Sequence, residues 1–251
     1  MTGPAANLCS ADERSGSPGH PLDNLVHKAL TGPHAHLAQR RGRALRYPLD
    51  VAGYVALPHP PAERDWADLA ALAGPGTLVA LAGIANRPPI GWDVVSHNAG
   101  VQMIDHGLAA APDAEAVRLT AADVPDMLAL VASTKPGPFL PRTIAMGTYL
   151  GIRSNGRLIA MAGERLHPPG WTEISAVCTA ADFRGRGLAT RLVHAIAHQI
   201  RQRGETPFLH AAASNTHAIR LYERLGFQLR QRTDFAIARV PTQPSIVQPH
   251  Q

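Results

Sequence analysis

Apolar residues recur three and four positions apart through Leu188–Arg203, where Leu188, Leu192, Val193, Ile196 and Ile200 form one stripe. That spacing predicts a long amphipathic helix whose stripe is core. Ala218, Ile219, Tyr222 and Leu225 repeat the pattern within Asn215–Leu225. Asn215 is placed to cap that helix, and Gly226 to end it in a left-handed conformation. A capping box, Thr120 with Asp123, predicts a helix over Val124–Ser133. Trp66–Ala73 reads as a further helix, and Asp23 as the cap of one running through Leu30. Strands are expected at Leu78–Ile84, Val101–Ile104, Ala116–Leu119, Thr148–Arg153, Arg157–Leu166, Trp171–Thr179, Pro207–Ala212, Phe227–Arg232 and Asp234–Val240. Ser154-Asn155-Gly156 is a hairpin signal between two of them.

These elements divide the chain. Residues 1–19 are rich in Gly, Ser and Pro and read as a disordered tail. Residues 20–108 form an accessory N-terminal α/β region without a recognisable chemical motif, with a proline-rich turn at Asn86-Arg87-Pro88-Pro89. Ala109–Ala114 reads as a linker. Residues 115–240 form a second domain, and 241–251 a polar tail.

Composition narrows the picture only a little. A chain of 251 residues with 45% apolar content can bury one large core or two small ones. The net charge of +5 comes from scattered arginines, Lys28 and Lys135 being the only lysines. No basic block with interleaved aromatics appears, so a nucleic-acid partner is not expected. A positive field does suit a ligand carrying several phosphates. Cys9 and Cys178 are too differently placed to pair, which argues for a reducing compartment. The leader pattern of a secreted protein and an apolar run long enough to span a bilayer are both missing from this sequence, so a cytoplasmic protein is expected.

The chemistry concentrates at Arg184-Gly185-Arg186-Gly187-Leu188-Ala189, which lies between the strand ending at Thr179 and the long helix. A helix N-terminus has unpaired N–H groups and partial positive charge, and glycines let a large anion approach it. A nucleotide P-loop would need a lysine after the glycines, and the dinucleotide fingerprint is only partly matched. Arg184-x-x-Gly187-x-Ala189 instead resembles the coenzyme A pyrophosphate loop of the GNAT acyl-CoA N-acyltransferase superfamily. A second segment strengthens the resemblance: Asn215-x-x-Ala218-x-x-x-Tyr222-x-x-x-Gly226-Phe227 resembles the Asn/Ala/Tyr/Gly-Phe segment of the same superfamily. The likeness covers residues 115–240.

The resemblance implies an α+β fold with a mixed, mostly antiparallel central sheet flanked by helices, to which the N-terminal α/β region is additional. It implies acetyl-CoA as co-substrate and a primary amine, small or at a protein N-terminus, as acceptor. The acetyl group would pass by direct attack in a ternary complex, without a metal or membrane; a homodimer stays open. Backbone groups at Val177, Cys178 and Thr179 would pair with the pantetheine arm and polarise the thioester carbonyl. Amides of Arg184, Gly185, Arg186, Gly187, Leu188, Ala189 and Thr190 would hold the pyrophosphate, and Asn215 would cap its helix or touch the pantetheine arm. Tyr222 is the expected general acid for the departing thiolate. Glu173 is the preferred general base, with Glu164 and His210 as competitors. By strand alternation Glu173 shares a face with Ser175, Val177 and Thr179, opposite Cys178, which argues against Cys178 as an acyl carrier. The loop Ser133–Met146 is expected to set acceptor specificity, with the N-terminal region as a candidate wall. His20, His27, His34 and His36, like His194 and His198, lack a recognised metal-ligand spacing. A non-catalytic module that binds acyl-CoA as a regulator is the alternative reading.

Overall fold

The structure, a computed structural model, describes residues 19–83 and 88–242. The expected tails and Cys9 therefore fall wholly or largely outside the described residues, as do Ile84, Asn86 and Arg87. In chain order the elements are α1 (Leu25–Leu30), β1 (Gln39–Arg41), β2 (Ala44–Arg46), β3 (Val55–Ala56), α2 (Glu63–Ala73), β4 (Leu78–Ala82) and β5 (Asp93–Asp105). They continue with β6 (Val117–Arg118), α3 (Val124–Thr134), β7 (Tyr149–Ser154), β8 (Arg157–Glu164), β9 (Trp171–Thr179), α4 (Leu188–Gln202), β10 (Thr206–Ala212), α5 (Thr216–Leu225) and β11 (Phe227–Arg239).

Eight strands form one sheet in the order β4-β11-β5-β10-β9-β8-β7-β6, and β1-β2-β3 form a small second sheet. Every pair in the large sheet is antiparallel except β9 with β10. The mixed, mostly antiparallel α+β class is therefore the observed one. Asn155 and Gly156, both at positive φ, close the expected β7–β8 hairpin. Helix α4 follows β9 because a parallel β9–β10 pair needs a crossover, and its apolar stripe packs on the sheet. Leu192, Val193, Ile196 and Ile200 are fully buried there, each contributing about 1.5–3 kcal/mol.

Three local expectations change. Phe227–Arg232 and Asp234–Val240 are one continuous strand, β11, because its partner is the equally long β5. Two register shifts in that pairing, at Leu229/Gln231 and Ile237/Ala238, are bulges within the ladder. Asp23 does not cap α1; its carboxylate pairs with Arg230, and Asn24 occupies the cap position without a side-chain cap bond. The Thr120–Asp123 box is present but opens a short 3-10 turn that leads into α3.

Strands from residues 20–108 thus lie inside the sheet. β5 fills the gap between β10 and β11, pairing Val101 with Ala211 on one side and with Arg232 on the other. The cores are shared as well: Leu22, Val26, Leu45 and Tyr47 pack with Met146, Leu166 and Phe208.

Candidate active site

β9 and β10 pair only at their start, from Trp171/Thr206 to Ile174/Leu209. Beyond that point β10 stays with β5 up to Ala212, and β9 stays with β8 up to Thr179. The two strands therefore splay, leaving a wedge between residues 175–179 and 210–212. Within this stretch β9 carries a bulge, with Met161 facing Cys178 and Gly163 facing Ser175, and Ala176 sits at φ 53°. A left-handed alanine is strained by about 1–2 kcal/mol and persists where packing fixes it.

The bulge breaks the alternation expected from the sequence. Val177 packs with Ile174 in the cluster under α4, whereas Ala176 and Cys178 pack with Tyr149 and Met161 in the cluster beside α3. The face argument against Cys178 as an acyl carrier is thereby lost. What remains is physical: the thiol is buried and its pKa is raised by desolvation.

The wedge opens into a cavity of about 640 Å³. Val177, Cys178, Thr179, Arg184, Gly185, Gly187, Leu188, Ala189, Thr190, Asn215 and Tyr222 all line it, so the structure gathers these sequence-selected residues around one space. Arg186 is not on the wall; its guanidinium lies 4.7 Å from the Phe183 ring centroid and donates to Asp182 O. Gly185 and Gly187 have φ of 75° and 74°, and a Cβ on either would meet no atom within 4 Å. The N-terminus of α4 is thus bare backbone, with Gly187 at its cap and no side-chain capping bond. Among the lining side chains are Lys135 and Arg184 and no carboxylate. A polyanion fits such a cradle by shape and by sign.

Asn215 Oδ1 accepts from Ala218 N at 3.1 Å, so its side chain caps α5 while the residue borders the cavity. Tyr222 is largely buried beside Phe227, and burial raises its phenol to about 12. It therefore keeps its proton across neutral pH.

Glu173 is fully buried and both oxygens are engaged. Arg165 donates to Oε2 through Nε at 2.9 Å and to Oε1 through Nη2 at 2.6 Å, and His210 Nδ1 lies 2.7 Å from Oε1. Burial alone would raise this carboxyl, but Arg165 and His210 outweigh it and hold it below the ordinary range. Glu173 is absent from the cavity wall, where His210 stands instead. Glu164 is buried too, accepting from Arg203 and from Thr148 N, and does not reach the wedge.

The network continues across the sheet. Gln102 on β5, fully buried, places Nε2 3.1 Å from His210 Nε2 and accepts from Arg230 Nη1 at 2.7 Å through Oε1. Arg230 is the extra residue of the β11 bulge, which turns its side chain toward Gln102. With Nδ1–H donated to the carboxylate, His210 Nε2 is the acceptor nitrogen. The sequence reading missed Arg165, Gln102 and Arg230: Gln102 lies 108 positions from His210 and 128 from Arg230, beyond the reach of a motif, and nothing local marks Arg165 off from the other arginines.

A second cavity, of about 590 Å³, has Arg165 and Phe235 on its wall, neither of which lines the first. The N-terminal half supplies Val51–Tyr54 and Leu78–Leu81; β11 supplies Phe235–Ile237; the α3–β7 loop supplies Pro138, Leu140, Thr143 and Met146. That loop borders both spaces, because Lys135, Pro136 and Gly137 face the first. Among the described residues no cluster of three or more His, Cys, Asp or Glu is placed to hold a metal. No described helix is long and apolar enough to cross a membrane.

Comparison with known proteins agrees with this geometry. The family model for FR47-like proteins matches residues 149–236. A mycothiol acetyltransferase from Rhodococcus opacus is 36% identical over 89 residues, which is 33% of this chain and 29% of that protein. One from Saccharopolyspora erythraea is 33% identical over 94 residues, 37% of this chain and 31% of that protein. The chain therefore matches less than a third of the length of these relatives. A crystal structure of a GNAT-family protein from Novosphingobium aromaticivorans shares 38% identity at a TM-score of 0.80, covering 88% of this chain and 98% of that one. A GCN5-related N-acetyltransferase from Kribbella flavida, 19% identical with a TM-score of 0.56 over 88% of this chain and 96% of its own, shares the fold. Matched over nearly the whole length of the Novosphingobium protein, the chain belongs to the GNAT acetyltransferase family.

Proposed function

We propose that this protein transfers an acetyl group from acetyl-CoA to a primary amine by direct attack in a ternary complex. The observation that carries this reading is the β9–β10 wedge, which leads to the glycine-opened N-terminus of α4. In this reading the amides of Arg184, Gly185 and Gly187–Thr190 hold the pyrophosphate, with charge from Lys135 and Arg184. The backbone of Val177–Thr179 pairs with the pantetheine arm and polarises a carbonyl lodged in the wedge. Acetyl-CoA supplies the activated thioester.

The remaining roles belong to side chains. Tyr222 donates a proton to the departing sulfur. His210 takes the proton of the acceptor ammonium at Nε2, exchanging the Gln102 contact for the amine. Glu173, sealed behind His210, orients the ring and stabilises its charged form, so it acts as a positioning residue. The expected base thus moves one residue outward along the network. Residues 20–108 work in this reading as part of the catalytic unit, since β5 carries Gln102.

Calorimetric titration of acetyl-CoA into wild type and Gly187→Glu tests the reading. The variant puts bulk and negative charge in the cradle, and its φ of 74° adds strain of about 1–2 kcal/mol. Micromolar binding by wild type, weakened by about 100-fold or more in the variant, is expected. A folded wild type that does not bind acetyl-CoA would sink the proposal. Binding without acetylation of any amine would favour the non-catalytic module.

A further inference from the structure

From the second cavity we infer the class of acceptor: a small primary amine on an apolar body that carries no second charge. This inference rests on the acetyl-transfer reading for its amine and on the cavity alone for its selectivity. No residue lines both cavities, but their walls are in contact. Phe235 on its wall packs edge-on to His210, with ring centroids 5.2 Å apart, and Arg165 on its wall is bonded to Glu173, which is bonded to His210. In this inference the acceptor's body fills the cavity and its amine end reaches past the Phe235 edge to His210.

Its lining is almost entirely aliphatic or aromatic, and no acidic side chain belongs to it. The polar groups on the wall are mostly spent. Thr143 Oγ1 donates to Val51 O at 2.7 Å and accepts from Leu140 N at 2.8 Å. The Arg165 guanidinium is neutralised by Glu173 and lies over the Tyr54 ring, 5.5 Å from its centroid. Asn98 and the Tyr54 phenol are left as groups that could orient a ligand. A second ammonium would be stripped of water here with no counter-charge, a cost that an alkyl or aryl tail avoids. At about 590 Å³ the space suits a small molecule.

The test compares pentylamine with cadaverine, which differ by one terminal amine, in thiol release from acetyl-CoA. Wild type is expected to favour pentylamine by about tenfold or more in kcat/KM. Leu140→Asp, which adds a carboxylate from a loop position, is expected to reverse that order. Calorimetry of pentylamine with the protein gives a readout independent of turnover: Ala80→Trp, which fills the cavity, should abolish binding while acetyl-CoA binding is kept. Cadaverine used as well as pentylamine, or pentylamine binding untouched by Ala80→Trp, would overturn the inference and leave the acetyl-transfer reading standing. Loss of acetyl-CoA binding in the wild type would instead remove that reading, and the pentylamine titration would still decide the cavity's ligand.

Discussion

The two cavities on either side of the Lys135–Leu140 loop are nearly equal in volume, about 640 and 590 Å³, yet they are built in opposite ways. The first is a backbone device. A bulged strand, a pair of left-handed glycines and a bare helix terminus are drawn mostly from residues 175–222. The second is a side-chain device, walled by apolar residues from four separated stretches of the chain. Backbone recognition suits a ligand with fixed polar features, because N–H groups do not change with sequence. Apolar walls suit a variable ligand, since any side chain of suitable volume redraws them. In the proposed reading, co-substrate and acceptor are therefore recognised by different physics, and Arg165, Glu173 and His210 join the two sites.

Tyr222→Phe probes the first cavity by itself and should have the largest effect. The phenol stands beside the wedge without a role in the second cavity, and Phe preserves its packing on Phe227. kcat is expected to fall by about 100-fold or more, with acetyl-CoA affinity and Tm close to wild type. Because the phenol titrates only near 12, it stays protonated below that value. The wild-type pH–rate profile should therefore show no falling limb from Tyr222 at moderately alkaline pH. An unchanged kcat would reduce Tyr222 to a packing residue.

Glu173→Gln probes the joint between the cavities. Removing the carboxylate leaves Arg165 buried against a neutral amide, a change that costs about 3–5 kcal/mol when a buried ion pair loses one member. Denaturant unfolding should show that loss. In the catalytic reading kcat also falls while acetyl-CoA binding survives, and the pH dependence of kcat/KM moves, because His210 loses its anionic partner. A stability loss with an unaltered pH profile would make Glu173 purely structural.

Legibility from the sequence follows the same divide. Trp171–Thr179 and the α4 and α5 stripes were readable because period, caps and glycines are local signals. The cradle was readable for the same reason, as glycines at 185 and 187 mark a backbone need. The Ala176 bulge was not: an alanine within a regular alternation gives no sign of a positive φ. Nor was the position of β5, whose pairing with β10 and β11 bridges more than 100 residues. The expectation of two strands after Phe227 failed at that point, because the neighbour that keeps β11 continuous comes from the other half of the chain. Gln102 and Arg230 become part of a site only once that strand is in place.

The seam behind the second cavity carries the most specific prediction, a pH dependence of stability. His34 is buried at 3% exposure between the halves. Its Nε2–H donates to Met146 O at 2.9 Å, leaving Nδ1 to accept from the Tyr47 hydroxyl at 2.8 Å. Burial, with the neighbouring His167, lowers its pKa from 6.5 to about 3. The unfolded chain therefore binds a proton below about pH 6.5 that the folded protein refuses. The sign follows: this contribution is complete above the unfolded value and is lost as pH falls toward 3, at about 1.4 kcal/mol per pH unit. His34→Gln should keep a neutral donor toward Met146 and flatten that part of the stability curve, read by urea unfolding between pH 6.5 and 4.5. Because Met146 lines the second cavity and not the first, acidification should loosen pentylamine before it loosens acetyl-CoA. Parallel loss of both ligands would mean that the two cavities open as one unit, and the division of labour between them would fail at its structural base.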